Sequence, residues 1–280
     1  MTSILVFDIE TIPDVVGIRK LRDLSPEISD EEVAQIAFHA RQEKTGSEFL
    51  PHHLQRIAAI SCVFRRTGRD GQALLRIGSL GVAESSNDSH HEASEATLIR
   101  KFFELIEKHT PQLVSWNGGG FDLPVLHYRA MIHGIEAARY WEMGESTAHD
   151  AREFKWNNYI NRYHSRHLDL MDVLAMYQPR ANAPLDELAK LCGFPGKMGM
   201  DGAQVWSAYQ EGRLAEIRQY CETDVVNTYL LYCRFQLMRG GFSLQEYDNE
   251  VRLVKDQLSS ETGPQWPAYL DAFSTADLPT

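Results

Sequence analysis

Residues 4–11 read ILVFDIET. Four apolar residues lead to Asp8, one isoleucine follows, and then come Glu10 and Thr11. The apolar run predicts a buried strand over 3–10 that stops abruptly at Ile12-Pro13. Residues i and i+2 of an extended strand share a face, so Asp8 and Glu10 project together. Two like charges so close, and partly desolvated, raise each other's pKa. A divalent cation is the obvious neutralising partner. The plainer alternative is a strand that has ended, with its acids in the loop that follows.

The other bulk features narrow the class. A chain of 280 residues suits one large domain with insertions or two small ones. No run of about 18 apolar residues exists, so no membrane span is expected. The N-terminus enters a strand almost at once, without the pattern of a secretory signal. The cysteines at 62, 192, 221 and 233 show no CxxC and no metal-ligand spacing, and read as reduced thiols of a cytoplasmic protein. A net charge of −11 argues against a long basic stripe for duplex nucleic acid. If the chain acts on nucleic acid, it should hold a short end, with metal ions neutralising the site.

The pattern then runs along the chain as follows. Residues 14–54 are polar and acid-rich, with an amphipathic helix over 29–44 opened by a Ser29/Glu32 capping box. Strands are predicted at 57–64 and 73–80, joined by a turn at 68–71, and at 113–116. Residues 84–93, which include His90-His91, read as a polar loop, and both this pair and His52-His53 read as exposed. Helices are predicted at 95–109, 122–133, 168–177, 185–192, 203–211 and 214–239, and one starting at Ser243. The tail after Thr262 reads as loosely attached. Three strands in a meander followed by alternating helix and strand indicate an α/β domain with a mixed sheet.

Two further stretches carry carboxylates. In WNGGGFDLPVL (116–126), Asp122 sits at a predicted helix N-terminus after three glycines. N-capping explains the aspartate but not the glycines, which leave room for close approach. In QYCETDVVNTYLLY (219–232), Tyr220 and Asp224 share a helix face. Asp224 lies among apolar residues and needs a partner; a tyrosine–aspartate hydrogen bond within a structural helix would serve.

FDIET, NGGGFD and YCETD, in this order, resemble the three motifs of the DEDD 3′-5′ exonucleases, and Tyr220 places the resemblance in the tyrosine subgroup, DEDDy. The spacing from Asn117 to Phe121-Asp122 is similar to the proofreading domain of family B DNA polymerases. The chain resembles stand-alone bacterial proteins predicted to be exonucleases on that similarity. HLDLMDVL (167–174) and GKMGMDG (196–202) extend the likeness, which spans about 3–240.

The resemblance implies an RNase H-like fold, a mixed five-stranded sheet with helices on both sides. The residue pattern supplies four strands, and a fifth near 165–170 would have to be short. The implied domain covers 1–261 with an insertion at about 14–54, and 262–280 form a tail. The implied chemistry is phosphodiester hydrolysis at a 3′ end by two divalent metals, Mg²⁺ or Mn²⁺, about 3.5–4 Å apart. Carried over from the family, Asp8 bridges both metals, Glu10 and Asp224 hold the one that binds the attacking water, Asp122 serves the second, and Tyr220 orients the water. Thr11, Asn117 and Phe121 are candidate substrate contacts, although a core role for Phe121 is open.

The expected partner is the 3′ end of a single strand, DNA ahead of RNA, with no membrane. A catalytically silent, nucleic-acid-binding relative is the alternative from another class. Residues 152–167 add Arg152, Lys155, Arg162 and Arg166 interleaved with Trp156, Tyr159 and Tyr163, a mixture suited to a single strand or to an ordinary packed connection. His167 reads as a satisfied structural histidine, and Asp169 and Asp172 as helix caps. The insertion, placed directly after the first strand, is expected to pack beside or over the cleft and limit access to duplex.

Overall fold

The computed structural model describes residues 3–68, 70–81, 94–147 and 149–273. The polar loop at 84–93, Arg69 in the predicted turn, and residues 274–280 lie outside the described residues.

The opening strand, β1 (Ile4–Pro13), is the middle of a five-stranded sheet. It pairs antiparallel with β2 (Gln55–Thr67), which pairs antiparallel with β3 (Ala73–Ser79). On its other side β1 runs parallel to β4 (Gln112–Ser115), and β4 runs parallel to β5 (His167–Asp169). The order is therefore β3-β2-β1-β4-β5. The short fifth strand is present, three residues long.

Alternation along β1 divides the core. Leu5, Phe7 and Ile9 pack with α3 (Glu95–His109) and α4 (Asp122–His133). Ile4 and Val6 pack with the long helix α9 (Leu214–Met238) and with α10 (Leu244–Ser260). Asp8 and Glu10 continue the Ile4–Val6 face, so the acids point to the α9 side of the sheet. Beyond Val6 the pairing with β4 ends, while β1 continues. Its register with β2 shifts between Glu10 and Thr11, a bulge that bends the strand beside the acids.

The insertion after β1 holds α1 (Val15–Arg22) and α2 (Asp30–Thr45). The Ser29/Glu32 capping box of α2 is present, and Val15, Ile18, Val33 and Ala37 form a small core of their own. Helix α1 goes unpredicted by the sequence pattern: its N-cap bond runs from Gly17 N–H to Asp14, and an interior glycine disguises it.

Smaller elements follow: α5 (Ala151–Phe154), α6 (Leu170–Leu174), α7 (Leu185–Leu191) and α8 (Val205–Gln210). The helix predicted over 168–177 shrinks to α6. Residues 167–169 are taken into β5, and Met176 and Tyr177 adopt φ of +53° and +61°, which no α-helix accommodates.

The segment after Thr262 differs from expectation. It forms α11 (Trp266–Asp271), with Trp266 and Tyr269 buried in the α9–α10 core. The six-residue helix with Pro267 in its first turn reads as loop by composition, and only its packing on α9 and α10 makes it order. Tyr269 donates its hydroxyl to Asn227 Oδ1 at 2.7 Å, both groups buried. Tyr269→Phe is expected to cost about 1 kcal/mol in urea unfolding, with Asn227 still satisfied by its other partners. No helix among the described residues is long and apolar enough to cross a membrane.

Candidate active site

Where β4 ends, β1 has a free edge, and the carboxylates gather there. Asp122, the first residue of α4, accepts the Ile9 N–H through Oδ1 at 3.1 Å, which fixes it to the strand between Asp8 and Glu10. The chain reaches that position through a tight turn. Asn117 adopts φ +65°, and a Cβ on Gly118 would stand 2.3 Å from Ser115 Oγ. The Asp169 carboxylate accepts N–H bonds from Asn117 and Gly119, both at 2.9 Å. Asp169 also caps α6, as expected, and His167 meets Ser115 Oγ at 2.8 Å as a satisfied buried histidine.

From the other side α9 presents Tyr220, Cys221 and Asp224. Single ligand atoms of Asp8, Glu10 and Cys221 lie within 4.8 Å of one another. The Cys221 thiol donates to the Asp8 carbonyl at 3.4 Å and to Asp8 Oδ2 at 3.5 Å. The helix bearing Asp224 thus faces the opening strand, as the motif reading requires.

The electrostatics follow from crowding. Burial and then Asp122, Glu10 and Asp224 push the Asp8 carboxyl well above the usual range. Burial and Asp224 raise Glu10, partly offset by Lys197. Burial raises Asp122 to about 7 and Asp224 to about 6, the latter opposed by Lys197 and by a hydrogen bond from Tyr220. The Tyr220 phenol is pushed far up by burial and the surrounding acids, so it stays protonated and is no base. Asp224 Oδ1 is buried without a hydrogen-bond partner. A hard divalent cation suits this set: converging carboxylates, short of positive charge, one oxygen unsatisfied.

Lys197 is the residue the motif reading leaves without a role. Its Nζ donates to the Tyr220 hydroxyl at 2.5 Å and lies 3.4 Å from Asp224 Oδ2. Burial works against its charge, but Asp224, Glu10 and Asp8 outweigh it and hold the ammonium protonated. The loop around it is pinned by Asn227 of α9, which bonds the Gly196 N–H at 3.2 Å and carbonyl at 2.8 Å, and by Asp186, which accepts the Lys197 N–H at 2.7 Å. A lysine between glycines in GKMGMDG is the only local signal of this position.

Of the candidate substrate contacts, the exposed Asn117 borders the turn. Phe121 is half-buried, its ring against Phe49 and His52. That contact leaves His52 half-buried as well, against expectation, while His53 is exposed. The Thr11 hydroxyl donates to Gln55 Oε1 at 3.0 Å and so ties β1 to the end of the insertion. The basic-aromatic segment is absorbed by packing only in part, with Arg152, Lys155 and Arg162 exposed. Tyr159 is buried and bonds the Pro111 carbonyl before β4, Arg166 lies over the Phe154 ring, and Arg162 pairs with Asp172. Trp156 and Tyr163 remain exposed.

Residues 47–273 match the sequence model of a family described as a predicted 3′-5′ exonuclease related to the exonuclease domain of PolB. That match starts after β1, so Asp8 and Glu10 join the site through the fold. In Emericella nidulans, the catalytic polypeptide of DNA polymerase epsilon is 25% identical over 244 residues, 80% of this chain and 10% of that protein. Its Saccharomyces cerevisiae counterpart is 26% identical over 150 residues, 52% of this chain and 6% of that protein. The chain thus spans about a tenth or less of these relatives' length. The family B DNA polymerase of the hyperthermophilic archaeon Pyrobaculum calidifontis aligns with 99% of this chain and 27% of its own, at 16% identity and a TM-score of 0.47. With the family model covering most of its length, the chain belongs to the predicted 3′-5′ exonucleases related to the exonuclease domain of PolB.

Proposed function

We propose that the protein is a metal-dependent exonuclease that removes nucleotides from the 3′ end of single-stranded DNA. The observation that carries this reading is the meeting of Asp8, Glu10, Asp122 and Asp224, from three distant elements, around one free strand edge. The likeness to DNA polymerases favours DNA over RNA. Cysteines free of disulfides suit the cytoplasm.

Asp8, Glu10, Asp122 and Asp224 would hold two Mg²⁺ or Mn²⁺ ions. When bound, these supply positive charge that lowers the pKa of the attacking water and stabilises the departing 3′-oxygen. The protein's own residues do the rest. Tyr220, protonated and held by Lys197, presents its hydroxyl to orient the attacking water. Lys197 adds a fixed cation beside the phosphate, where the acids leave negative charge in excess. Asn117 and Phe121, flanking the glycine turn, contact the terminal nucleotide.

The test is digestion of 3′-labelled single-stranded DNA and RNA with Mn²⁺, Mg²⁺ or chelator. Activity lost with chelator is expected, and an Asp224→Ala protein that trims the label at the normal rate would overturn the assignment. Lys197→Met is expected to lower kcat about 100-fold, the usual loss for one preorganised donor, and to lower the melting temperature of the metal-free protein, because the ammonium offsets the charge of Asp224 and Glu10. An unchanged kcat would reduce Lys197 to a structural counter-ion.

A further inference from the structure

The segment before β2 places a large, exposed ring against Phe121, the residue before Asp122, and fixes its backbone there. Phe49 is 57% exposed. Its carbonyl accepts Arg41 Nε at 3.0 Å, and its N–H bonds Ser47 Oγ at 3.2 Å. The next residue, Leu50, is buried, and its carbonyl accepts Gln55 Nε2 at 3.1 Å. Gln55 in turn accepts the hydroxyl of Thr11, the neighbour of Glu10. An exposed phenylalanine on a slack loop needs no explanation. One held by Arg41 of α2 on one side and, through Leu50 and Gln55, linked to the strand that carries the acids on the other does.

The ring belongs to a row. Phe49 and Phe121 have centroids 5.5 Å apart, and His52 lies 5.6 Å from Phe121. His53 meets Tyr128, 46% exposed, one helical stretch further along α4. Phe121 directly precedes Asp122, so the row starts at the carboxylates and leads away over the insertion and the outer face of α4.

We propose that this row is a base-stacking ledge, in which Phe49 takes an unpaired base next to the 3′-terminal nucleotide. The proposal rests on the exonuclease reading and names how that site grips its strand. The chain's charge supports the choice of occupant. At net −11, little affinity can come from phosphate neutralisation, so rings must supply it. Bases inside a duplex have both faces covered by their neighbours, whereas an unpaired base near a strand end has a face free for a ring, so the ledge favours single strands.

The experiment measures binding and cleavage of a labelled 12-nucleotide DNA by the full-length protein, binding in Ca²⁺ and cleavage in Mn²⁺. Phe49→Leu keeps apolar bulk, Phe49→Ala removes it, and Phe49→Trp keeps the aromatic face. Both Leu and Ala variants are expected to raise Kd and KM about tenfold, with kcat unchanged and Trp near wild type. Replacing the penultimate bases one at a time by an abasic spacer should weaken wild type by a similar factor at one position and leave Phe49→Leu indifferent there. Equal Kd for wild type and Phe49→Leu, or an abasic penalty of the same size in both, would overturn the ledge. Base-dependent binding without hydrolysis in Mn²⁺ would sink the exonuclease reading and leave the ledge standing.

Discussion

Asp8→Asn is expected to abolish trimming of a 3′-labelled strand, by about 10³-fold or more, and at the same time to stabilise the metal-free protein. Both effects have one cause. Asp8 is desolvated and surrounded by Asp122, Glu10 and Asp224, so its charge is costly until cations compensate it. Neutralising it relieves about 1–2 kcal/mol of that repulsion, a rise of a few degrees in melting temperature. The pH dependence follows from the same groups. In the folded protein Asp122 titrates near 7 and Asp224 near 6, with Asp8 and Glu10 also raised, whereas unfolded carboxyls titrate near 4. Between those values the folded state keeps protons that the unfolded state releases. This contribution is therefore full below about pH 4 and is lost as pH rises toward about 7. Melting curves from pH 4.5 to 7.5 in chelator should show a shallower decline for Asp8→Asn than for wild type. Added Mn²⁺ should raise the wild-type melting temperature at pH 7.5 and leave Asp8→Asn nearly unmoved. A variant that is destabilised in chelator, or that gains as much from Mn²⁺ as wild type, would contradict the crowded-acid account.

Arg129→Met is expected to cost about 3–5 kcal/mol of stability. The guanidinium, almost wholly buried in α4, donates Nε to Glu95 Oε1 at 2.8 Å, and its terminal nitrogens reach Glu95 Oε2 and Asp14 Oδ2, both at 2.5 Å. Glu95 also accepts the Ile57 N–H at 2.7 Å and meets His133 Nε2 at 2.7 Å. One cation thus joins the start of the insertion, β2, α3 and α4. Removing it strands two desolvated carboxylates. Because α4 carries Asp122 at its head, hydrolysis should fall as well. Adding Glu95→Gln to Arg129→Met should recover part of the stability, since it removes one of the stranded charges. Urea titrations of the single and double variants measure both. A single-variant cost below about 1 kcal/mol would mean the cluster is hydrated and the clamp weak.

How much of this is legible in the sequence depends on whether the signal is local. The period-2 alternation of ILVFDIET carries both the strand and the shared face of its acids. Helices α3 and α4 fall at the predicted 95–109 and 122–133, because Gly134 supplies the left-handed C-cap of α4 and Leu98, Ile99, Phe102 and Ile106 form a stripe on α3. Asp8, Glu10, Asp122, Tyr220 and Asp224 are singled out as candidates by order and spacing, and the fold brings their side chains near one another. Lys197 is not, since its meeting with Tyr220 is decided by the Asn227 bracket on Gly196, a contact between residues 31 apart. Helix α11 escapes for a similar reason: only packing partners on α9 and α10 explain why Trp266 and Tyr269 are ordered. The 152–167 segment divides between its two readings: Tyr159 and Arg166 go to internal contacts, while Arg152, Lys155, Trp156, Arg162 and Tyr163 stay exposed.

The bond from Tyr269 to Asn227 links α11, through Gly196, to the ammonium that balances the acids. A short helix held by two aromatic side chains is among the first parts of a fold to open transiently. Each such opening would slacken the loop under Lys197 while the sheet and the carboxylates stay in place. Turnover should therefore fall off on warming before the global melt begins, so that thermal inactivation and unfolding separate into two events.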